Sequence, residues 1–310
     1  MMHYILRRLL WIAATLIVVS LLTFALVFAV GDPAVMLTPT RPGQAPKPEL
    51  VALIRRQYGL DQPLFVQYVR YMGRLLRGDL GDSYYFHRPV AQLLAEKLPT
   101  TACLAGLIML VALGLGIPLG VLAAARRNTF LDRGILLVSA VLISVPTIFL
   151  AVLLIYFFAY RLRLFPLGGT GSLHHLVLPT LSVALPMAVA YALFLRAGML
   201  NALSADYVRT ARSKGIAHHR IHLRHVLPNA LIPVVTLVSL DLAGLLTGVV
   251  LVEQIFGMPG LGQTVFKAVQ NRDVPVVMGA VFFGALLIGA GNLAADLAAA
   301  RLDPRIRLGE

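Results

Sequence analysis

Few residues of this chain have the types and spacing that chemistry needs. His218, His222 and His225 share one face of a predicted helix, a spacing that can hold a metal ion. No cysteine or carboxylate lies close to them in sequence, so we interpret them as a basic patch and predict no metal site. Cys103 is the only cysteine, which excludes an intrachain disulfide and any multi-cysteine metal cluster.

Asp241 is a more specific candidate because it interrupts an apolar segment, where an ionisable side chain is costly and usually has a function. Two interpretations stay open. Asp241 could line a substrate path together with Ser239 and Ser144, or it could make a polar contact between packed helices. An ion-coupled secondary carrier or a channel that uses Asp241 is therefore an alternative function, although carriers usually contain several such groups.

The glycines and serines do not indicate an enzyme. The chain has no Gly-Lys dipeptide, which excludes the GxxxxGK[ST] nucleotide loop, and it has no GxSxG motif. Gly116 and Gly120 lie four residues apart inside an apolar segment, a spacing that favours close helix packing, and Gly244 and Gly248 repeat it. We predict that this polypeptide catalyses no reaction itself.

The elements that position these residues are membrane helices. Of the 310 residues, 58% are hydrophobic and only 13% are charged, against about 25% charged in soluble domains. A hydrocarbon core of about 30 Å requires roughly 20 apolar residues in a helix. Such segments occur at 9–30, 101–125, 135–160, 176–195, 231–252 and 276–297. We therefore predict an all-α integral membrane protein with six spans.

The formal net charge of +13 is explained by topology. Most Lys and Arg residues in the short connections fall on one side, among them Arg126, Arg127, Arg209, Arg212 and Lys214. Because basic residues in short loops stay in the cytoplasm, this distribution places both termini there. We accordingly predict lipid surroundings and no nucleic-acid partner.

Two connections are too long to be turns. Residues 1–30 hold the first span, 31–100 form an extracytoplasmic insert, and 101–310 form a five-helix core that includes a cytoplasmic loop at 196–229. After a proline-rich start the insert is predicted to be partly helical. An apolar stripe in it either caps the helix bundle or docks an external partner; its members are Leu64, Tyr68, Tyr71, Met72 and Leu75.

The cytoplasmic loop is predicted to contain two short helices joined by a glycine corner. Ser204 can cap the start of the first helix and Gly215 can end it. The second is predicted over 216–227, where Pro228 stops it before the next span.

Several motifs of this chain occur together in one known family. They are GDPA at 31–34, LDQPLFVQYVRYMGRLLRGDLGDSY at 60–84, RPVAQLLAEKLPTT at 88–101, DYVRTARSKGI at 206–216, RHVLPNALIPVVT at 224–236, VEQIFGMPGLGQ at 252–263 and NLAADLAAARLDPRIR at 292–307. With them the chain resembles the permease subunits of ATP-binding-cassette importers of the dipeptide and oligopeptide class. In the loop motif Arg209, Thr210 and Ala211 stand where the general importer form has Glu-Ala-Ala, a version that is similar to the peptide subclass.

The resemblance implies a type I importer permease architecture in a bacterial cytoplasmic (inner) membrane. It implies a second similar permease, two ATPase subunits that hold ATP and magnesium, and an extracytoplasmic substrate-binding protein. The substrates of the class include dipeptides, oligopeptides, glutathione and nickel complexes, and a peptide is our first choice. The residues expected to contact the ATPases are Val208, Arg209, Thr210, Ala211, Arg212, Lys214, Gly215 and Ile216. Among these, Val208, Ala211 and Ile216 are expected to supply apolar contact.

Overall fold

The computed structural model describes residues 2–32, 34–35, 38, 45–247 and 249–302, apart from the side chains of 2–5, 30 and 294–302. Within these ranges the chain is helical and no strand occurs, which confirms the predicted all-α class. The helices are α1 Met2–Val30, α2 Pro48–Gln57, α3 Leu64–Leu75, α4 Val90–Ala125, α5 Phe130–Ser144, α6 Thr147–Leu154, α7 Leu173–Leu203, α8 Asp206–Ser213, α9 His218–Arg220, α10 Leu227–Leu246, α11 Val250–Ile255, α12 Leu261–Gln270 and α13 Val274–Leu302.

Five helical segments of the described chain are long and apolar enough to cross a membrane. They are Leu6–Ala29, Val90–Ala125, Leu173–Leu203, His218–Leu246 and Val274–Leu293. The remaining predicted span, 135–160, is a pair of helices bent by 100° between Ser144 and Thr147. Pro146 causes the break, because a proline disfavours helical geometry in the residue before it, and Val145 is extended.

The helix that contains the second span is longer than the predicted span. The sequence predicts the end of the insert at 100, and α4 already begins at Val90. At 36 residues this helix is about 54 Å long, well beyond a hydrocarbon core of about 30 Å. Its first turns therefore extend out of the membrane, where the charged residues are solvated.

The predicted stop at Pro228 is wrong. The chain continues from α9 through a π-helical segment, Ile221–Val226, directly into α10, with Pro228 in the first turn of α10. A π-helical turn pairs residues five apart and leaves some backbone groups outside the regular ladder. The missing N–H of Pro228 therefore costs little at this position.

Close contact between α4 and α7 forms the centre of the bundle. A Cβ atom added to Gly116 would lie 2.6 Å from the Ala188 carbonyl oxygen, and one on Gly120 would lie 2.8 Å from that of Ala192. Only glycine permits this approach, so the predicted packing role of the pair is confirmed. For Gly244 the same prediction is wrong, since a Cβ there meets nothing within 4 Å, and Gly248 lies outside the described residues.

Candidate functional site

Helix α8, in the predicted ATPase-contact loop, is fixed to this chain by its apolar face. Val208 is 1% exposed and Ala211 is 7% exposed, and both belong to the main core together with Ile221 and Val226. Ile216 packs against the same core. Val208 and Ala211 are buried against the chain's own helices and Ile216 is half-buried, so these apolar side chains anchor α8; their expected contact with an ATPase stays a prediction.

The opposite face of α8 is polar and open to solvent. Its exposed residues include Tyr207, Arg209, Thr210 and Arg212, and the exposed Lys214 follows directly after the helix. One ion pair joins Arg209 to Asp206 at 3.9 Å, and both side chains are more than four-fifths exposed, so solvent screens it. The face therefore presents positive charge outward from a helix whose other side is anchored.

The end of α8 has the geometry that Gly215 was predicted to supply. Gly215 has φ +71°, its N–H donates to the Arg212 carbonyl at 2.9 Å, and the Ile216 N–H donates to the Ala211 carbonyl at 3.3 Å. This pair of bonds is the Schellman ending, in which glycine adopts the left-handed conformation. The predicted cap by Ser204 is wrong, because Ser204 ends α7 and its hydroxyl donates to the Asn201 carbonyl.

A buried ion pair joins α7 to the first turn of α5. The Arg196 guanidinium donates to both carboxylate oxygens of Asp132, at 2.7 and 2.8 Å, and the Asp132 side chain is only 2% exposed. The Asn128 N–H donates to the same carboxylate at 2.9 Å, and Thr129 caps the start of α5. No sequence motif identified this pair, since its members lie 64 positions apart in the chain.

Asp241 makes a contact between helices. The Tyr191 hydroxyl on α7 donates to Asp241 Oδ2 on α10 at 2.7 Å. Ser239 and Ser144 instead donate to carbonyls of their own helices, those of Val235 and Ala140. No hydrogen bond among the described residues joins Asp241 to either serine. A role for the three in a substrate path stays a prediction.

The three histidines of the predicted basic patch lie in the segment between α8 and α10. His218 is solvent-exposed, and His222 Nδ1 lies 2.8 Å from the His218 carbonyl oxygen. Within the part of the chain that the structure describes, no group of three His, Cys, Asp or Glu side chains is arranged to hold a metal.

The apolar stripe of α3 faces the chain's own spans. Tyr71 and Leu75 are buried beside Phe24 of α1 and Met278 of α13. Tyr68 and Met72 pack against the same cluster, and Tyr68 also hydrogen-bonds Ser20 at 3.0 Å. Of the five predicted docking residues, only Leu64 is exposed. Tyr71 and Leu75 thus favour the capping alternative, while Tyr68 and Met72 are half-buried, and docking of an external partner through this stripe stays a prediction.

A fully buried carboxylate, Asp273, holds the insert against the start of α13. Ser83 Oγ donates to it, and the N–H groups of Tyr84 and Tyr85 donate to its two oxygens at 3.1 Å. Burial raises the pKa of the Tyr84 phenol to about 12. The sequence carried no periodic signal for the anchor, because its partners lie almost 190 positions away.

We expect Asp273→Ala to loosen the insert. The change leaves three donors without their charged acceptor in a buried site, at a cost of about 3 kcal/mol. Limited proteolysis of the purified protein should then cut within 45–89 at least tenfold faster. Asp61→Asn, an exposed acid of the same insert, should leave the rate unchanged, and equal protection in both variants would contradict the anchoring role.

A second buried carboxylate connects two of the quoted motifs. Glu253 is 0% exposed, accepts a hydrogen bond from Thr101 Oγ1 at 2.7 Å and accepts another from the Gln263 N–H at 2.9 Å. The Leu261 N–H donates to the same Thr101 hydroxyl at 2.9 Å. A Cβ on Gly260 would lie 2.4 Å from this carboxyl group, which explains the glycine there. The motifs thus build one polar contact between α4, α11 and α12.

Comparisons with known proteins agree with this arrangement of helices and motifs. Residues 116–308 match the family model described as the inner membrane component of binding-protein-dependent transport systems, and residues 1–105 match the N-terminal model of such membrane components. The chain belongs to this family. It is therefore a multi-pass inner membrane protein and a transport subunit, not a catalyst.

Curated members of the family resemble the chain over its whole length. It is 38% identical to the probable peptide ABC transporter permease protein y4tP of Sinorhizobium fredii, over 98% of this chain and 99% of the relative. It is 38% identical to the glutathione transport system permease protein GsiC of Salmonella paratyphi A and 37% identical to that of Escherichia coli K12, over 99% of both chains in each case.

A solved structure shows the same fold for the permease core. An inward-facing form of the MetNI methionine ABC transporter superposes with a TM-score of 0.58 at 19% identity, covering 68% of this permease and 97% of the other chain. At that identity the likeness supports the type I importer fold alone.

Proposed function

We propose that this permease forms half of the translocation path of an ATP-driven peptide importer and passes the motion of its ATPases through residues 206–228. One observation carries the proposal: Arg209 and Arg212 on α8, and Lys214 at its end, are exposed, while Val208 and Ala211 anchor the helix in the core. A basic face on an anchored helix can bind a partner and transmit a rigid-body displacement.

The route of that displacement follows from the chain. Only Ser204 and Ala205 separate α8 from α7, and α7 packs without a gap on Gly116 and Gly120 of α4. The ion pair between Arg196 and Asp132 also joins α7 to α5, the helix that follows α4, at the cytoplasmic end. A push on α8 therefore moves α7 and α4 together, because packed interiors deform little.

The proposed assembly contains a second, similar permease, two ATPase subunits and an extracytoplasmic binding protein. ATP and magnesium bind the ATPase subunits in this assembly, and both termini of the permease lie in the cytoplasm. The basic residues of the α8 loop support that orientation. For the cargo we propose a di- or oligopeptide, since the matched relatives are named for peptide and glutathione transport.

We expect Asp241→Asn to leave transport dependent on ATP. The substitution keeps the size of the side chain and an oxygen that accepts from Tyr191, but it removes the charge on which an ion-coupled carrier would depend. Uptake of a labelled dipeptide into vesicles reconstituted with the partner subunits should stay within about threefold of wild type. Without ATP, uptake should be absent in both proteins.

Conditions that separate ATP from ion gradients complete the experiment. Vesicles with a proton or sodium gradient and no ATP should accumulate nothing. Accumulation that follows such a gradient, ignores ATP and disappears in Asp241→Asn would replace the importer by a secondary carrier. Tyr191→Phe serves as a control, since it removes the hydrogen bond and keeps the carboxylate.

A further inference from the structure

A cavity lies where the insert meets the outer ends of two spans. Its volume is about 790 Å³, within the range of small-molecule sites. Phe24, Val27 and Phe28 from the last turns of α1 form its apolar side together with Val274 and Met278 from the first turns of α13. The cavity is therefore at the depth where spans end, which is the depth of the phospholipid head groups.

The rim of the cavity is strongly basic. Arg70 and Arg74 line it from α3, Arg77 from the turn after α3 and Arg56 from α2, and among the described lining residues the only acidic one is Asp82. All four arginines are exposed, and none forms an ion pair within the described part of the chain. By contrast, the neighbouring Arg55 pairs with Asp32 outside the cavity. A cluster of four guanidinium groups favours the binding of phosphate, because each guanidinium can donate two parallel N–H hydrogen bonds to phosphate oxygens.

Tyr71 provides an independent indication that the cavity suits a polar ligand. The side chain lines the cavity and is 8% exposed, yet its hydroxyl has no hydrogen-bond partner among the described residues. A buried hydroxyl without a partner is costly, and a bound polar group would satisfy it.

The outward face of α3 shows which kind of ligand fits. Phe65 is 77% exposed and Val69 is 51% exposed, although they lie on the same short helix as Arg70 and Arg74, and Leu76, directly after the helix, is 84% exposed. A helix with arginines beside large exposed apolar side chains is typical of elements that lie in the membrane interface. Apolar surface for an acyl chain and cations for a phosphate thus occur side by side.

We propose that this cavity, formed by α1, α2, α3 and α13, binds the head group of an anionic membrane phospholipid. Its phosphate contacts Arg70 and Arg74, and its acyl chains follow the apolar outer ends of α1 and α13. The bound lipid fastens the insert to the membrane surface, in addition to the Asp273 anchor. This inference does not depend on which substrate is transported or on what drives transport.

The test measures lipid retention by the purified full-length protein. Native mass spectrometry after incubation with phosphatidylglycerol should show a tightly retained lipid, with phosphatidylcholine retained at least tenfold more weakly. Arg70→Gln/Arg74→Gln should weaken phosphatidylglycerol binding at least tenfold. Arg55→Gln, from an arginine on α2 outside the cavity, should not change it. Arg70→Lys/Arg74→Lys keeps the positive charge and tests the proposal if the Gln variant fails to fold. It should weaken phosphatidylglycerol binding by less than the Gln variant does.

Two further measurements identify the source of the phosphate. Inorganic phosphate and glycerophosphoglycerol should compete only at concentrations at least a hundredfold above the lipid, because they lack acyl chains. Competition by inorganic phosphate at equal concentration would overturn the lipid assignment. Unchanged phosphatidylglycerol binding in both double variants would also overturn it. If the arginine variants instead keep lipid binding and lose docking of the binding protein, the cavity belongs to that protein and the lipid assignment is wrong.

Discussion

Replacing Arg209, Arg212 and Lys214 together by Glu is expected to stop ATP-driven uptake while the permease stays folded in the membrane. All three side chains are exposed, so no buried contact is lost within the chain. The change turns three positive charges into three negative ones on the face proposed to meet the ATPases. Like charges placed against a complementary partner cost several kcal/mol, enough to weaken binding by roughly 10²-fold.

The measurement compares co-purification of the ATPase subunits and peptide uptake at equal permease abundance. Arg209→Lys/Arg212→Lys is the matched control, since it keeps the charge and should retain most activity. Arg163→Glu reverses an exposed charge on the opposite side of the bundle and should have no effect on ATPase retention. Wild-type uptake and retention in the triple variant would show that this face of α8 does not contact the ATPases.

Asp132→Ala is expected to cost more stability than any other single carboxylate change discussed. It leaves Arg196, whose side chain is 19% exposed, without its bidentate partner, and it removes the acceptor of the Asn128 N–H. Breaking a buried ion pair by deleting one partner costs about 3–5 kcal/mol. Unfolding of the purified protein in mixed detergent and dodecyl sulfate would measure the loss.

A double variant separates the free energy that the ion pair contributes to stability from the cost of leaving one charge buried without a partner. Asp132→Ala/Arg196→Met removes both charges and keeps apolar bulk, so it should be clearly less destabilised than the sum of the two single variants. Asp206→Ala, which breaks the exposed pair with Arg209, should have little effect. Simple additivity of the Asp132 and Arg196 variants would contradict their coupling.

Local patterns in the sequence predicted much of the fold. Apolar runs identified the spans, a periodic stripe identified α3, and the positions of Gly116, Gly120 and Gly215 were sufficient for their packing and capping roles. These features depend either on residues that are close in sequence or on a glycine's lack of a side chain. Both can be read from a single sequence.

The sequence could not predict features that depend on distant parts of the chain. The same hydrophobic spacing makes Val208 and Ala211 either an outward contact or an inward anchor, and only the position of the π-helical segment with Ile221 and Val226 decides between them. The pairing of Asp132 with Arg196 likewise depends on how α5 and α7 cross. The 100° bend at Pro146 could not be predicted, because a proline inside a membrane helix can also be accommodated without a break when neighbouring helices satisfy the freed backbone groups.

The length of α4 has a consequence for communication between the two sides of the membrane. Val90, at its outer end, packs in a cluster with Leu261 and Val276, and its inner end leads through Asn128 to Asp132. Over about 54 Å, a tilt of about 5° displaces one end by about 5 Å relative to the other. In the proposed importer, the arrival of cargo outside and the binding of nucleotide inside would therefore both act on this one helix.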